Sequence, residues 1–202
     1  MKLNKKQCFA EAKNHMIKVL SEAAKLSNES MNSIIDLTQL VVFKKKHIIY
    51  NKGEIAEKIY FIHQGVVMVH YLSDGKLIID RFVKEGLFIG GQVSYMTQQP
   101  TNLVFETLED SIMLEIDAKE YLQLCLNNHE IQTMHSILIT QKFKLYSDMI
   151  VAFRALSVQD KYNKFQELYG DLINRISMKN IATFLGMTHE TLSRIRSVQG
   201  KK

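Results

Sequence analysis

Two cysteines, Cys8 and Cys125, are all that the sequence holds. So small a number excludes a disulfide scaffold and a four-cysteine zinc or iron–sulfur site made by one chain. Proline occurs once, at Pro100. No window approaches the ~18 consecutive apolar residues that a membrane span needs. The N-terminal stretch from Met1 to Cys8 is polar and has no apolar signal core, so a cytoplasmic protein without a membrane partner is expected. What is present is ordinary for a globular chain. Of 202 residues, 46% are hydrophobic and 23% charged, which removes disordered, collagenous and low-complexity readings. The length suits two small domains.

Charge is uneven along the chain. Residues 1–27 carry six lysines and two glutamates, residues 28–156 carry 12 basic and 15 acidic groups, and residues 157–202 carry eight basic and four acidic. A basic C-terminal quarter beside a mildly acidic middle is a candidate for polyanion contact.

The hydrophobic period changes twice. Over residues 9–26, Phe9, Ala12, Met16, Val19, Leu20 and Ala23 share one face at a period of 3.6, which predicts a helix. Residues 31–41 predict a second, shorter helical piece. From about 41, short runs rich in Ile, Val, Tyr and Phe appear at 47–51, 59–63, 66–72, 76–82, 103–108 and 111–116. Gly53, Gly65, Gly75 and Gly86 punctuate them at spacings of 12, 10 and 11. That rhythm predicts a β-sandwich or barrel. Asp74-Gly75 is a strong hairpin signal, and Pro100 marks an irregular loop. From about 118 the helical period returns, with a short helix at 118–126 and a long one at about 128–156. A helix of about 28 residues is about 42 Å long. Ile131, Met134, Leu138, Leu145, Ala152 and Ala155 form a seven-residue repeat broken by Gln141 and Asp148, while Ile137, Ile150 and Phe153 lie on another side. Apolar residues on two sides predict packing on its own domain and on a second copy. Ser157 caps a further helix at about 159–169, which Gly170 ends.

Residues 177–196 carry the most specific pattern. Ala182 is the small residue a helix-turn-helix needs where its helices cross, and Gly186, four residues on, tolerates positive φ at the turn. Ile181, Leu185, Leu192 and Ile195 supply the inward face, and Ser177 and Thr188 the caps. That leaves His189, Glu190, Ser193 and Arg194 outward on the second helix, with Lys179 and Arg196 around it. Glu190 and Arg194 are four apart on one side of the helix. Arginine pairs with a guanine edge and glutamate accepts from a cytosine amine, so these two are the candidate base readers. Ser177, Lys179, Thr191, Lys201 and Lys202 are placed as phosphate contacts; Thr188 lies beside them at the helix start.

Taken together, these features resemble the catabolite-activator-like (Crp/Fnr) transcription regulators over residues of about 20–202. The likeness rests on Asn51-Lys-Gly53, Ile59 to Gly65, Ser73-Asp-Gly75 and Glu85 to Gly90, then the long helix, then Thr188-His-Glu-Thr-Leu-Ser-Arg194. The resemblance implies an α+β chain in three parts. Residues 1–127 would be an effector-like domain, with N-terminal helices and a cyclic-nucleotide-binding-like β-roll (a double-stranded β-helix or jelly roll). Residues 128–156 would be a dimerisation helix, and 157–202 a helix-turn-helix DNA-binding domain. It implies a homodimer on a two-fold double-stranded DNA site, an effector in the roll, and RNA polymerase as a further partner.

Departures from that family bear on the effector. Members that bind cyclic nucleotides have Gly-Glu-Leu where this chain has Gly90-Gly91-Gln92, and their glutamate holds the ribose. They have Arg-Ser where this chain has Thr101-Asn102, and their arginine neutralises the cyclic phosphate. A buried phosphate without its cation is costly, so cyclic AMP is not the expected effector; an unknown small molecule, or none, takes its place. His189 stands where many members have arginine. The wing that often follows the recognition helix does not fit in six residues after Arg196.

Other chemistry has less support. Metal-binding cupins need His-x-His, and His63 and His70 are seven apart, so no metal or other cofactor is expected. A haem sensor needs one or two ligands, for which His15, Cys8 or His70 could serve; Cys8 or Cys125 could form a redox switch. His47, His63 and His70 read as strand residues. Neither paired carboxylates, nor a Ser/His/Asp order, nor a phosphate loop stands out, so no catalytic residues and no enzyme are expected. The alternatives are a cyclic-nucleotide- or haem-responsive regulator, or a ligand-sensing or protein-interaction module that does not bind DNA.

Overall fold

The computed structural model describes residues 4–199. Two compact units divide the chain. The first takes residues up to Val69 together with Phe82–Gln141; the second takes His70–Arg81 and the chain from Lys142 on.

The first unit is built on strands. β1 (Gln39–Phe43), β2 (Ile48–Tyr50), β3 (Lys58–Gln64), β4 (Val67–Ser73), β5 (Lys76–Val83), β6 (Phe88–Ile89), β7 (Val104–Thr107) and β8 (Ser111–Asp117) form two four-stranded sheets. Their orders are β1-β8-β3-β6 and β2-β7-β4-β5. Of these strands, β4 and β5 lie for the most part, at His70–Arg81, in the second unit. β8 lies antiparallel to both β1 and β3, with Leu114 opposite Leu40 and Phe61. Side chains alternate along a strand, and β3 uses both faces. Tyr60 and Ile62 point between the sheets, with Tyr50, Val67, Val69, Phe105 and Met113. Ile59 and Phe61 point to the helices, with Leu114 and Ile116 of β8. Burial on two faces explains why Ile59–Ile62 reads as an unbroken apolar run.

The helices α1 (Lys5–Ala23), α2 (Asn28–Asp36) and α4 (Ala118–Asn127) cover that second face. Ala12, Met16 and Leu20 of α1, Ile34 and Ile35 of α2, and Tyr121 and Cys125 of α4 join one cluster with Ile131 and Met134. The N-caps are Asn4, Ser27 and Asp117, each accepting from backbone N–H groups of the first turn. One expectation is corrected here. The helical piece at 31–41 ends at Asp36, and Gln39–Phe43 is the edge strand β1. Leu40 continues the helical spacing, yet its backbone pairs with β8. The two-residue β6 and the six-residue α3 (Gln92–Thr97) had no counterpart among the expected elements.

The second unit is helical apart from His70–Arg81, the greater part of the β4–β5 hairpin. Asp74 (φ 49) and Gly75 (φ 73) form the two-residue turn between β4 and β5. α5 (His129–Ala155) enters this unit with its C-terminal half. α6 (Val158–Tyr169), capped by Ser157, is followed by a 3-10 turn at Gly170–Leu172. Gly170 therefore ends α6 in a right-handed conformation and tightens the chain into that turn. α7 (Met178–Leu185) and α8 (His189–Gln199) complete the unit. Its core is aromatic: Phe153, Phe165 and Tyr169 surround Phe184, with centroids 5.4, 5.8 and 5.9 Å away.

Candidate functional site

The outward surface of α7 and α8 is one candidate site. Ile181, Ala182, Leu185, Leu192 and Ile195 are buried, so both helices turn their apolar faces inward. Gly186 sits between them at φ 66, and its N–H reaches back to the Ala182 and Thr183 carbonyls. A left-handed residue that closes a helix is most cheaply glycine. The Ser177 hydroxyl accepts from Asn180 N–H, and the Thr188 hydroxyl from Thr191 N–H, each at 3.2 Å.

His189, Glu190, Ser193 and Arg194 are exposed on α8, as are Ser177, Lys179 and Thr188. Thr191 is partly covered, its hydroxyl 3.1 Å from that of Thr188. Backbone N–H at the start of α8 holds the Glu190 carboxyl below its usual range, with help from Thr188 and His189. Glu190 is therefore an acceptor at neutral pH. No ion pair joins it to Arg194 among the described residues. Arg196 is partly buried and turns its guanidinium to the Met178 sulfur on α7. Lys201 and Lys202 lie outside the described residues.

The diverged effector residues lie in the first unit, at two ends of one loop. Gly90 and Gly91 are buried, Gln92 is partly buried, Thr101 is buried and Asn102 is exposed. A methyl added to Gly91 would lie 2.5 Å from the Ala56 Cβ. Ala56 N–H donates to the Ser94 hydroxyl at 3.0 Å, which fixes the spacing. Thr101 N–H donates to the Glu54 carbonyl, and the Thr101 carbonyl accepts from Gly53 N–H, both at 2.8 Å. The segment 53–56 therefore holds both ends, and its fit leaves position 91 without room for a carboxylate. Between the sheets, Tyr50 bonds the Lys58 backbone through its hydroxyl in both directions, at 3.0 and 2.7 Å. Burial pushes its pKa up to about 12. Tyr60 and Phe105 pack against its ring, and Phe43 packs against Tyr60.

The histidines and cysteines fall elsewhere. His15 Nδ1 and His63 Nδ1 are 3.2 Å apart. Burial, then the neighbouring His15, hold the His63 imidazole below its ordinary pKa. His47 stacks on Phe43 at 4.6 Å. Cys8 and Cys125 are buried, and burial raises both thiols. No group of three or more metal-ligating side chains forms among the described residues.

One cluster escaped the sequence reading. In the second unit, Arg81 lies over the Tyr146 ring with its guanidinium 5.3 Å from the centroid, and it pairs with Asp80. Lys142 is one turn before Tyr146 on α5. A signal exists in hindsight: Lys142, Tyr146, Met149 and Phe153 follow helical spacing on one face, and Lys142 is its only charge.

Residues 40–128 match the family model of the cyclic nucleotide-binding domain. No curated protein matches the sequence. Among solved structures, FixK2 from Bradyrhizobium japonicum is 18% identical with a TM-score of 0.71, over 81% of this chain and 85% of that one. CLP from Xanthomonas campestris, described as a c-di-GMP responsive global regulator, is 13% identical with a TM-score of 0.68, over 87% and 93%. The catabolite activator protein of Thermus thermophilus is 16% identical with a TM-score of 0.54, over 87% and 84%. Residues 40–128 thus match a cyclic nucleotide-binding domain, and the chain shares the fold of these three structures. No helix among the described residues is long and apolar enough to cross a membrane.

Proposed function

We propose that the protein is a cytoplasmic, homodimeric, sequence-specific transcription regulator that reads double-stranded DNA with α8. The observation that carries this reading is the exposed row His189, Glu190, Ser193 and Arg194 on a helix whose other face is buried against α7. A helix so presented fits the major groove, with its N-terminal residues at base edges and the preceding helix across the backbone. Glu190 and Arg194 have complementary readout, the one accepting and the other donating. Ser177, Lys179, Thr188 and Thr191 would meet phosphates, which position the helix without reading sequence. RNA polymerase is a partner of that activity.

The dimer reading is supported by α5. Phe143 (72% exposed), Ile150 (55%), Val151 (65%) and Leu145 (39%) are large apolar side chains that the single chain leaves to solvent. A second copy of the same helix is their natural cover. The effector reading is supported by Gly91 and Thr101, which supply neither the carboxylate nor the cation of a cyclic nucleotide site. The effector is therefore something other than cyclic AMP, or absent.

The test is fluorescence anisotropy of the full chain on labelled random-sequence duplex DNA. Affinity should fall about 10³-fold or more between ~50 and ~200 mM salt, as phosphate contacts release counterions. Binding that is absent at low salt, or indifferent to salt, would favour a protein-interaction module instead.

A further inference from the structure

We propose that His15 and His63 form an acid-sensitive latch, which holds α1 on the sheet of β1, β8, β3 and β6 while at least one of the two rings is neutral, and loosens the helix when both carry a proton. The latch lies within the first unit and does not depend on the function proposed above.

The two imidazoles come from different elements, His15 from α1 and His63 from β3. Their Nδ1 atoms are 3.2 Å apart, in a part-buried contact. A bond between two ring nitrogens needs a proton on one and a lone pair on the other. In the neutral pair, one Nδ1–H donates to the other Nδ1. A first added proton goes to Nε2 of the donor ring, which keeps the bond and strengthens it with charge. A second must take the accepting lone pair. Two N–H groups, each on a cation, then face one another across the length of a single hydrogen bond. The surroundings leave the rings little freedom to turn away. The His15 ring sits edge-on to Phe61 with centroids 5.1 Å apart, and its centroid is 5.4 Å from that of His63. Its Nε2 faces Gly86, where an added Cβ would lie 3.6 Å away. Gly86 is fixed in turn by its N–H, which donates to the Ile62 carbonyl at 2.9 Å.

The charges that act on His63 are Glu11, one turn before His15 on α1, and Glu85, next to Gly86; both favour protonation. Burial and the neighbouring His15 outweigh them and hold the His63 imidazole below its ordinary value. The unfolded chain takes up that proton near 6.5, above the folded chain. Stability therefore falls as pH drops through 6.5, and levels off once the folded pair is fully charged. Cys8, Ala12, Met16 and Leu20 keep the apolar face of α1 buried, so the second proton loosens the helix without stripping it from the core.

The test titrates the full chain, labelled with 15N-histidine, from pH 8 to pH 5 by NMR in buffer containing EDTA. Hydrogen exchange of residues 5–23 is followed by mass spectrometry over the same range. The two rings should titrate in two coupled steps. Exchange in α1, corrected for the intrinsic effect of pH, should quicken by ~10-fold or more through the lower step while β3 and β8 stay protected. His63→Gln keeps a hydrogen-bonding side chain that does not titrate, so its α1 exchange should not respond to pH. Independent titration of the two rings, or α1 exchange in wild type that ignores the lower step, overturns the latch. So does an equal response in His63→Gln, or loss of protection across the whole unit at once. Should His63→Gln fail to fold, His15→Gln takes its place, and if both fail the wild-type titration and exchange decide alone.

Discussion

Arg194 and Lys179 are both exposed cations, on α8 and α7, yet different effects are expected of them. Arg194→Ala should cost ~1–3 kcal/mol on the preferred site and relax preference at one base pair. Lys179→Ala should weaken all sequences alike and reduce the salt slope by about one. Competition binding with single-base variants of the site checks both, and equal losses across sequences for Arg194→Ala would remove its reading role. Gly91 carries a second prediction. Gly91→Glu should not confer cyclic AMP binding, because the side chain meets Ala56 at its first carbon. Calorimetry with cyclic AMP, and a melting curve showing a fall of a few degrees, check it. Lys142 gives a third. Its pKa, held near 8 against the ordinary 10.5, means that the folded chain binds fewer protons than the unfolded one between those values. Stability therefore rises with pH across that window, and the full cost is present below it. The charges facing Lys142 are Arg81 and Asp80 of the hairpin. Denaturant melts at pH 7 and pH 10 should show a gain in wild type that Lys142→Met lacks. None of this lysine's setting is written in its neighbours along the chain, because Arg81 comes from a strand some sixty residues earlier.

Helix α5 is the element on which most depends. Phe143→Glu with Ile150→Glu places charges where both side chains are exposed, so the monomer fold should survive. Sedimentation should then show a monomer, and affinity for a two-fold site should fall by about 10²-fold, since each half binds alone. A dimer that persists would move the interface elsewhere. The elements also show what the sequence makes legible. β3, β4, β5 and β8 are announced by apolar runs between turn glycines, and α7 and α8 by caps, Ala182 and Gly186. β1 is hidden because Met31 to Leu40 keeps a helical spacing across the true helix end at Asp36. β6 has two residues and α3 has six, too few for any period to register. The positions named from the resemblance, Gly91 and Thr101, proved to be held by one loop, 53–56. Their closure by Ala56 is a tertiary fit that no spacing encodes.

At the scale of the molecule, the proposed regulator joins a cyclic nucleotide-binding domain, with Gly91 and Thr101 in place of the expected carboxylate and cation, to the exposed helix α8. In the proposed dimer, two copies of α8 related by a two-fold axis would require a DNA site of the same symmetry. Selection of bound sequences from a random duplex library, with the full chain, tests this most directly. The account predicts enrichment of an inverted repeat whose half-sites are about one helical turn apart, about 10 base pairs centre to centre. Enrichment of no motif, or of a single unrepeated half-site, would contradict it.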